Sequence, residues 1–315
     1  MDEFDLKVLI EISRERLFLW GNLDPRLSAE TIAKRLRTNR NKVWSRLRGW
    51  ERCGFLRGWE VTPSLALFGA GLGVTAIRVD DGRKRTQALK DIGLVHGVVN
   101  ALEYVGPWIG VSFVTESATA ASRRLALLSR LNGVDEVLPA FDLPIPECSL
   151  EPTALEWRVL ESLRRWPRGT LAYAARHVGV SQKTFTKHYD RLIKAKAIWC
   201  VPLLDFTCYG EGAMARLLVT HSPGASEGQV STGLARHFPT ILDNLPVSLP
   251  GPPPRKLSAV LIHLRSAAEA EEAHRTALTL PGVEDVEVLF PKRIHLYRDW
   301  FDERIGEALA RATAR

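Results

Sequence analysis

The chain has 315 residues, 45% of them hydrophobic and 25% charged. That composition excludes general disorder, and the length is too great for one ordinary core. The net charge of +7 favours an anionic partner. The acidic start, "MDEFDLKVLI", has neither the basic flank nor the apolar run of a secretory signal, and no apolar stretch approaches the roughly 20 residues that span a bilayer. A cytoplasmic protein without membrane contact is expected.

Leu6, Leu9, Ile10 and Ile12 form a helical stripe from about Glu3 to Glu15, and "LFLWGNLDPR" makes a loop after it. Ser28 starts a short helix ending near Arg37. Asn39 suits the cap of a third helix and Gly54 its end, with a strand to follow. Residues 71–80 read as a strand and "RKRTQALKDIGLV" as a helix. "VVNALEYV" and "IGVSFVTE" read as two strands turned at Gly106-Pro107, "TAASRRLALLSRL" as a helix and "GVDEVLPAF" as a last strand. That order, β-α-β-β-α-β, is the ferredoxin-like one.

After the proline-marked linker "DLPIPECSLEP" the whole order returns. A helix covers about Ala154 to Arg165, Thr170 and Ser181 take the two cap positions, and "GVSQKTFTKHYDRLIKAKAI" carries the third helix. "AMARLLVTH", a helix around Gln229 to Phe238, "TILDNLPVSL", "KLSAVLIHL", a helix from Ala267 to Leu278, and "GVEDVEVLF" complete the second ferredoxin-like order. With Asn39 set against Ser181, an offset of 142 residues, Val43 meets Phe185, Leu47 meets Tyr189 and Trp50 meets Leu192. This is an internal duplication. The tail "YRDWFDERIGEALARATAR" reads as one more helix, with Trp300, Phe301, Ile305 and Leu309 on or near one face. It is expected to pack on the core or on a partner chain.

The expected fold class is α+β. Winged helix-turn-helix domains occupy 1–64 and 154–206, each followed by a ferredoxin-like βαββαβ domain, at 65–142 and 207–292. A linker spans 143–153 and a C-terminal helix 293–315.

The stretch "RTNRNKVWSRLRGWERCGFLRG" carries a single acid, Glu51, among many arginines, while Val43, Leu47 and Trp50 run beneath them as an apolar thread. A helix of this width fits the DNA major groove, and groove readers expose short polar and basic residues. The candidate DNA-binding face holds Arg40, Asn41, Lys42, Trp44, Ser45, Arg46 and Arg48, with Lys34, Arg35 and Arg52 as phosphate contacts. In the second copy it holds Gln182, Lys183, Thr184, Thr186, Lys187 and His188. Cys53, Cys148, Cys200 and Cys208 form no CxxC pair, and no cysteine or histidine cluster has zinc spacing, so neither metal nor cofactor is expected. The eight histidines are scattered and no P-loop or GxGxxG follows a strand, so no catalytic residue is assigned and the chain is not expected to be an enzyme.

The order of capped helix, reading helix, strand and ferredoxin-like module resembles the leucine-responsive/asparagine-regulator (Lrp/AsnC) family of prokaryotic transcription factors, as a tandem fusion of two units. The motif residues are Asn39, Lys42, Val43, Arg46, Leu47, Trp50, Gly54, Phe55 and Leu56, and again Ser181, Thr184, Phe185, His188, Tyr189, Leu192 and Ile198. The resemblance implies a sequence-specific regulator whose ferredoxin-like modules pair through their sheets, as an intramolecular pseudo-dimer or in a homodimer. It also implies a small effector, often an amino acid, near Glu103 to Gly110 and near Leu245 to Arg255. Glu103, Tyr104, Gly106 and Trp108 are its candidate contacts. Both loops depart from the family's glycine-acid-x-acid hairpin. Two alternatives stand beside the regulator: a weakly specific architectural DNA-binding protein, and a siroheme decarboxylase-like enzyme, since those enzymes share this architecture.

Overall fold

A computed structural model describes residues 2–12, 27–210, 212–238, 241–249 and 254–313. The loop expected at Leu17 to Arg26, the end of the first helix, and residues 250–253 of the second hairpin lie outside the described residues.

The first winged helix-turn-helix comprises α1 (Glu3–Ile12), α2 (Ala29–Arg35), α3 (Arg40–Cys53) and β1 (Leu56–Pro63). The Ser28 hydroxyl caps α2 by accepting from the Thr31 N–H at 3.0 Å, and Asn39 caps α3 by accepting from the Asn41 N–H at 2.6 Å. Gly54 ends α3 at φ +82°, the left-handed value that favours glycine.

A first ferredoxin-like unit follows: β2 (Gly71–Arg78), α4 (Arg85–Leu94), β3 (Val98–Tyr104), β4 (Trp108–Thr115), α5 (Ala118–Leu128) and β5 (Glu136–Val137), with β6 (Phe141–Leu143) added. The second winged helix has α6 (Ala154–Arg165), α7 (Leu171–Val178), α8 (Gln182–Lys194) and β7 (Ile198–Leu204). The second ferredoxin-like unit has β8 (Ala213–His221), α9 (Glu227–His237), β9 (Ile241–Leu249), β10 (Arg255–Leu264), α10 (Ala267–Leu278) and β11 (Val283–Leu289). The strands β12 (Pro291–Leu296) and the helix α11 (Asp299–Thr313) close the described chain.

The duplication is a pseudo-two-fold pairing within one chain. β1 and β7 form an antiparallel two-stranded sheet in which Trp59 faces Pro202 and Glu60 faces Val201. The 142-residue offset carries Trp59 onto Val201 and Glu60 onto Pro202, so the axis runs between these two rungs. The ferredoxin-like sheets have strand orders β3-β4-β2-β5 and β11-β8-β10-β9. Side chains alternate along each strand. Ile109, Val111 and Phe113 of β4 pack under α4 and α5, and Leu217 and Val219 of β8 pack under α9 and α10. The opposite faces, which carry Trp108 and Gly110 on one side and Leu218 on the other, meet each other.

The halves are also interlocked. The core of the first winged helix takes in Phe206, Tyr209, Met214, Leu242 and Leu261 from the second half. Phe55 is its hub, with edge-on ring contacts to Trp50 at 5.4 Å, Phe206 at 6.1 Å and Tyr209 at 5.3 Å. In exchange, β12 from the end of the chain adds to the edge of the first sheet beside β3. Of the segment 293–315, expected as one helix, the first residues therefore belong to strand β12 and Asp299–Thr313 to a helix. Tyr297 joins the two and lies so close to Gly93 that a Cβ there would sit 2.4 Å from its ring, while its hydroxyl donates to the Leu89 carbonyl at 2.7 Å. Helix α11 then wedges between α6 and the first sheet, burying Trp300, Phe301, Ile305 and Ala308.

Candidate nucleic-acid interface and the cavity between the sheets

Helix α3 buries Val43, Leu47 and Trp50 against Ile32, Ala33 and Phe55, which leaves its other side to solvent. Arg40, Asn41, Lys42, Trp44, Ser45 and Arg48 are exposed there, as are Lys34, Arg35 and Arg52 around it. Trp44 is 51% exposed, with the Arg48 guanidinium 5.0 Å from the centre of its ring. Neighbours hold several of these cations: Lys34 pairs with Glu30 at 2.9 Å and Arg35 with Glu11 at 3.4 Å. The Lys42 ammonium sits 4.1 Å over the Phe4 ring. Arg46 departs most from the sequence reading. Its guanidinium turns back to the start of α1, where it binds Asp2 and lies 3.4 Å from Asp5. It is half-buried rather than presented.

The second face is thinner. Gln182, Lys183 and Lys187 of α8 are exposed, and Thr184 and Thr186 half-buried. Thr184 joins the cap, its hydroxyl 2.9 Å from that of Ser181. His188 turns inward: its Nδ1 lies 3.2 Å from the Glu156 carboxylate, which Arg191 also binds at 2.9 Å. Burial alone would raise the Glu156 carboxyl. The Thr153 N–H, His188, the Thr153 hydroxyl and Arg191 outweigh it and hold the group below its ordinary value. His188 thus braces α8 against α6.

The four candidate effector contacts separate. Arg85 staples the β3–β4 hairpin, donating to the carbonyls of Tyr104 at 2.7 Å, Trp108 at 2.6 Å and Gly106. Gly106 is the turn itself, at φ +97°. Glu103 points to the seam with β12, where Lys292 binds it at 2.8 Å, Arg85 at 3.4 Å and His295 at 3.5 Å. Tyr104 and Trp108 alone of the four reach the space between the sheets.

That space is a cavity of about 140 Å³ with almost wholly apolar walls. Leu102, Tyr104, Trp108 and Phe141 face Leu218, Leu245, Val247 and Leu289 across it. Among its described lining residues Arg216 is the one cation and Glu287 the one acid. Arg216 is 3% exposed and donates to the Ala259 carbonyl at 3.4 Å. Glu287 reaches solvent and accepts from Trp108. In the sequence Arg216 reads as one polar residue within a strand, and only the facing sheet makes it a buried cation. Among the described residues no group of histidines, cysteines and carboxylates could hold a metal ion, and no helix is long and apolar enough to cross a membrane.

No protein-family model matches the chain, and no curated protein matches it in sequence. Similar solved structures exist. The siroheme decarboxylase NirDL is 14% identical at a TM-score of 0.54, covering 99% of this chain and 100% of that one. The same enzyme in complex with an iron-uroporphyrin III analogue is 16% identical, again at 0.54. AsnC of E. coli is 15% identical and covers 49% of this chain and 97% of its own, but its TM-score of 0.31 is too low to carry an argument. The expectation that the chain is not an enzyme does not stand against these likenesses, because both full-length ones are to an enzyme. What the chain shares with that enzyme, from end to end, is the fold: two winged helices and two ferredoxin-like units in one polypeptide.

Proposed function

We propose that the chain is a double-stranded-DNA-binding regulator, with α3 as its main reading element and α8 as a weaker second one. The observation that carries this reading is the exposed face of Arg40, Asn41, Lys42, Trp44, Ser45 and Arg48, set behind a capped helix and a tight turn. The pairing of β1 with β7 joins two unequal winged helices in one chain, so an asymmetric DNA site is expected.

The test is binding to duplex fragments at several salt concentrations. Arg48→Ala should weaken binding by ~1–3 kcal/mol on the preferred site if it reads a base. If it contacts phosphate, the variant should instead lower the log–log salt slope by about one. Arg46→Ala should cost less affinity than Arg48→Ala, because Asp2 and Asp5 already hold Arg46. Equal binding by wild type, Arg40→Ala and Arg48→Ala at every salt concentration would sink the reading. Loss of all preference against random duplex would leave the architectural alternative.

A second reading, tetrapyrrole decarboxylation, is favoured by the full-length likeness to siroheme decarboxylase. It requires the sheets to part around a macrocycle and to grip many carboxylates where, among the described lining residues, Arg216 is the one cation. Anaerobic incubation of purified protein with siroheme decides it: carbon dioxide release with a changed pigment spectrum would establish it.

A further inference from the structure

We propose that the acidic stretch Asp2 to Asp5 is an autoinhibitory clip on α3, which holds Arg46 back from DNA phosphates and lowers the affinity for duplex. The clip deepens the reading of α3 as the DNA-binding helix and rests on it.

Lys42 and Arg46 stand four residues apart on α3, so their side chains share one row along the helix. Three residues, Asp2 just ahead of α1 and Phe4 and Asp5 in its first turn, meet that row. Asp2 binds the Arg46 guanidinium and Asp5 lies 3.4 Å from its Nε, while the Phe4 ring takes the Lys42 ammonium at 4.1 Å. The acids are themselves fixed in place. The Asp2 N–H donates to the Asp5 carboxylate at 2.9 Å, and the Asp5 N–H to the Asp2 carboxylate at 2.8 Å. The bonds that start α1 therefore also aim its charges at Arg46.

Asp5, Lys42, Ser45, Arg46, Gly49 and Arg52 line a groove of about 510 Å³ along the same side of α3. A phosphate entering it would be drawn by the cations, but could take Arg46 only by parting it from both carboxylates. Arg46 is 38% and Asp2 52% exposed, so water weakens their pair enough for it to open. The two carboxylates would then sit beside the phosphate that Arg46 had reached, within the screening length of about 8 Å at physiological salt. Their repulsion is the lasting part of the inhibition.

The experiment compares duplex binding by the full chain and by Asp2→Asn on one fragment across a salt series. Asparagine caps a helix as well as aspartate does, so the variant removes the charge and keeps the start of α1. One added phosphate contact steepens the log–log salt slope by about 0.9. Asp2→Asn should therefore bind roughly threefold more tightly than wild type at about 50 mM salt, with most of that gain gone at about 200 mM. The gain should disappear when Asp2→Asn is combined with Arg46→Met. Should Asp2→Asn fail to fold, Asp2→Ser, which also caps, takes its place under the same criteria. An uncharged variant that binds no more tightly than a binding wild type overturns the clip and leaves the DNA reading standing. A gain of equal size in the Arg46→Met background also overturns it, because Asp2 would then repel DNA without acting through Arg46. No duplex binding by wild type or variant at any salt removes the DNA reading, and the clip with it.

Discussion

Replacing Trp300 with alanine is expected to destabilise the chain by about 3–5 kcal/mol, the range for deleting a buried aromatic side chain. Trp300 is 1% exposed and meets three groups at once. Its ring lies edge-on to Phe68 at 5.3 Å and to Phe301 at 5.2 Å, and its indole N–H donates to Glu116 at 3.2 Å. Phe68 in turn packs on Trp157 at 5.7 Å, so the tryptophan links α11 to both the first sheet and the second winged helix. Urea unfolding measures the loss. Amide exchange should show α11 opening first, because its anchor is gone while its outer turns are unchanged. Trp300→Phe keeps most of the ring area and should lose about 1 kcal/mol, the net worth of one hydrogen bond. A loss under about 1 kcal/mol in Trp300→Ala would mean that α11 contributes little to the core it covers.

The second large effect is electrostatic. Burial alone would raise the Glu103 carboxyl, but His295, Lys292 and Arg85 outweigh it and bring its pKa from 4.5 to about 2. A carboxyl whose pKa is lower in the folded state stabilises the fold at every pH above its unfolded value. That contribution fades as pH falls from 4.5 through about 2. The shift corresponds to roughly 3 kcal/mol at neutral pH. Glu103→Gln should therefore cost about that much at pH 7 and almost nothing near pH 2, so the two unfolding curves should converge in acid. A gap that stays constant with pH would show that Glu103 acts through shape rather than charge. The same carboxylate fastens β12 to β3 through Lys292, so the variant should also loosen the edge strand.

Much of this architecture can be read from apolar spacing, because each element buries a face whose period its own residues display. Val43, Leu47 and Trp50 announce α3, and Ala267 to Leu278 are helical in sequence and in space alike. "GVDEVLPAF" is less regular: Glu136–Val137 and Phe141–Leu143 pair with β2 and the Leu138 N–H still donates to the Ala76 carbonyl at 2.9 Å, but Pro139-Ala140 interrupts the ladder. Strand β12 was not legible, because "PKRIHL" has no alternation of its own and gains its partner from β3, nearly two hundred residues earlier. The pairing of β1 with β7 is equally invisible locally.

The site shows the same division. The exposed positions of α3 follow from the buried ones, so the basic face could be drawn from the sequence. The inward turns of Arg46 and His188 could not, because Asp5 and Glu156 lie on other helices and Asp2 just ahead of one. The cavity is a meeting of two sheets that no single stretch encodes.

Fusion has one more consequence. Under the 142-residue offset Arg216 corresponds to Val74, and both line the space between the sheets. When the closing strands "GVDEVLPAF" and "GVEDVEVLF" are aligned, Glu287 corresponds to Leu138, which lines the same space. In a dimer of identical subunits each substitution appears twice, so a cation at this position would face its own copy and the chamber would have no head or tail. Joining the halves lets each mutation act once. Here one wall carries Val74 and Leu138 where the other carries Arg216 and Glu287, so the two sides of the chamber differ in charge.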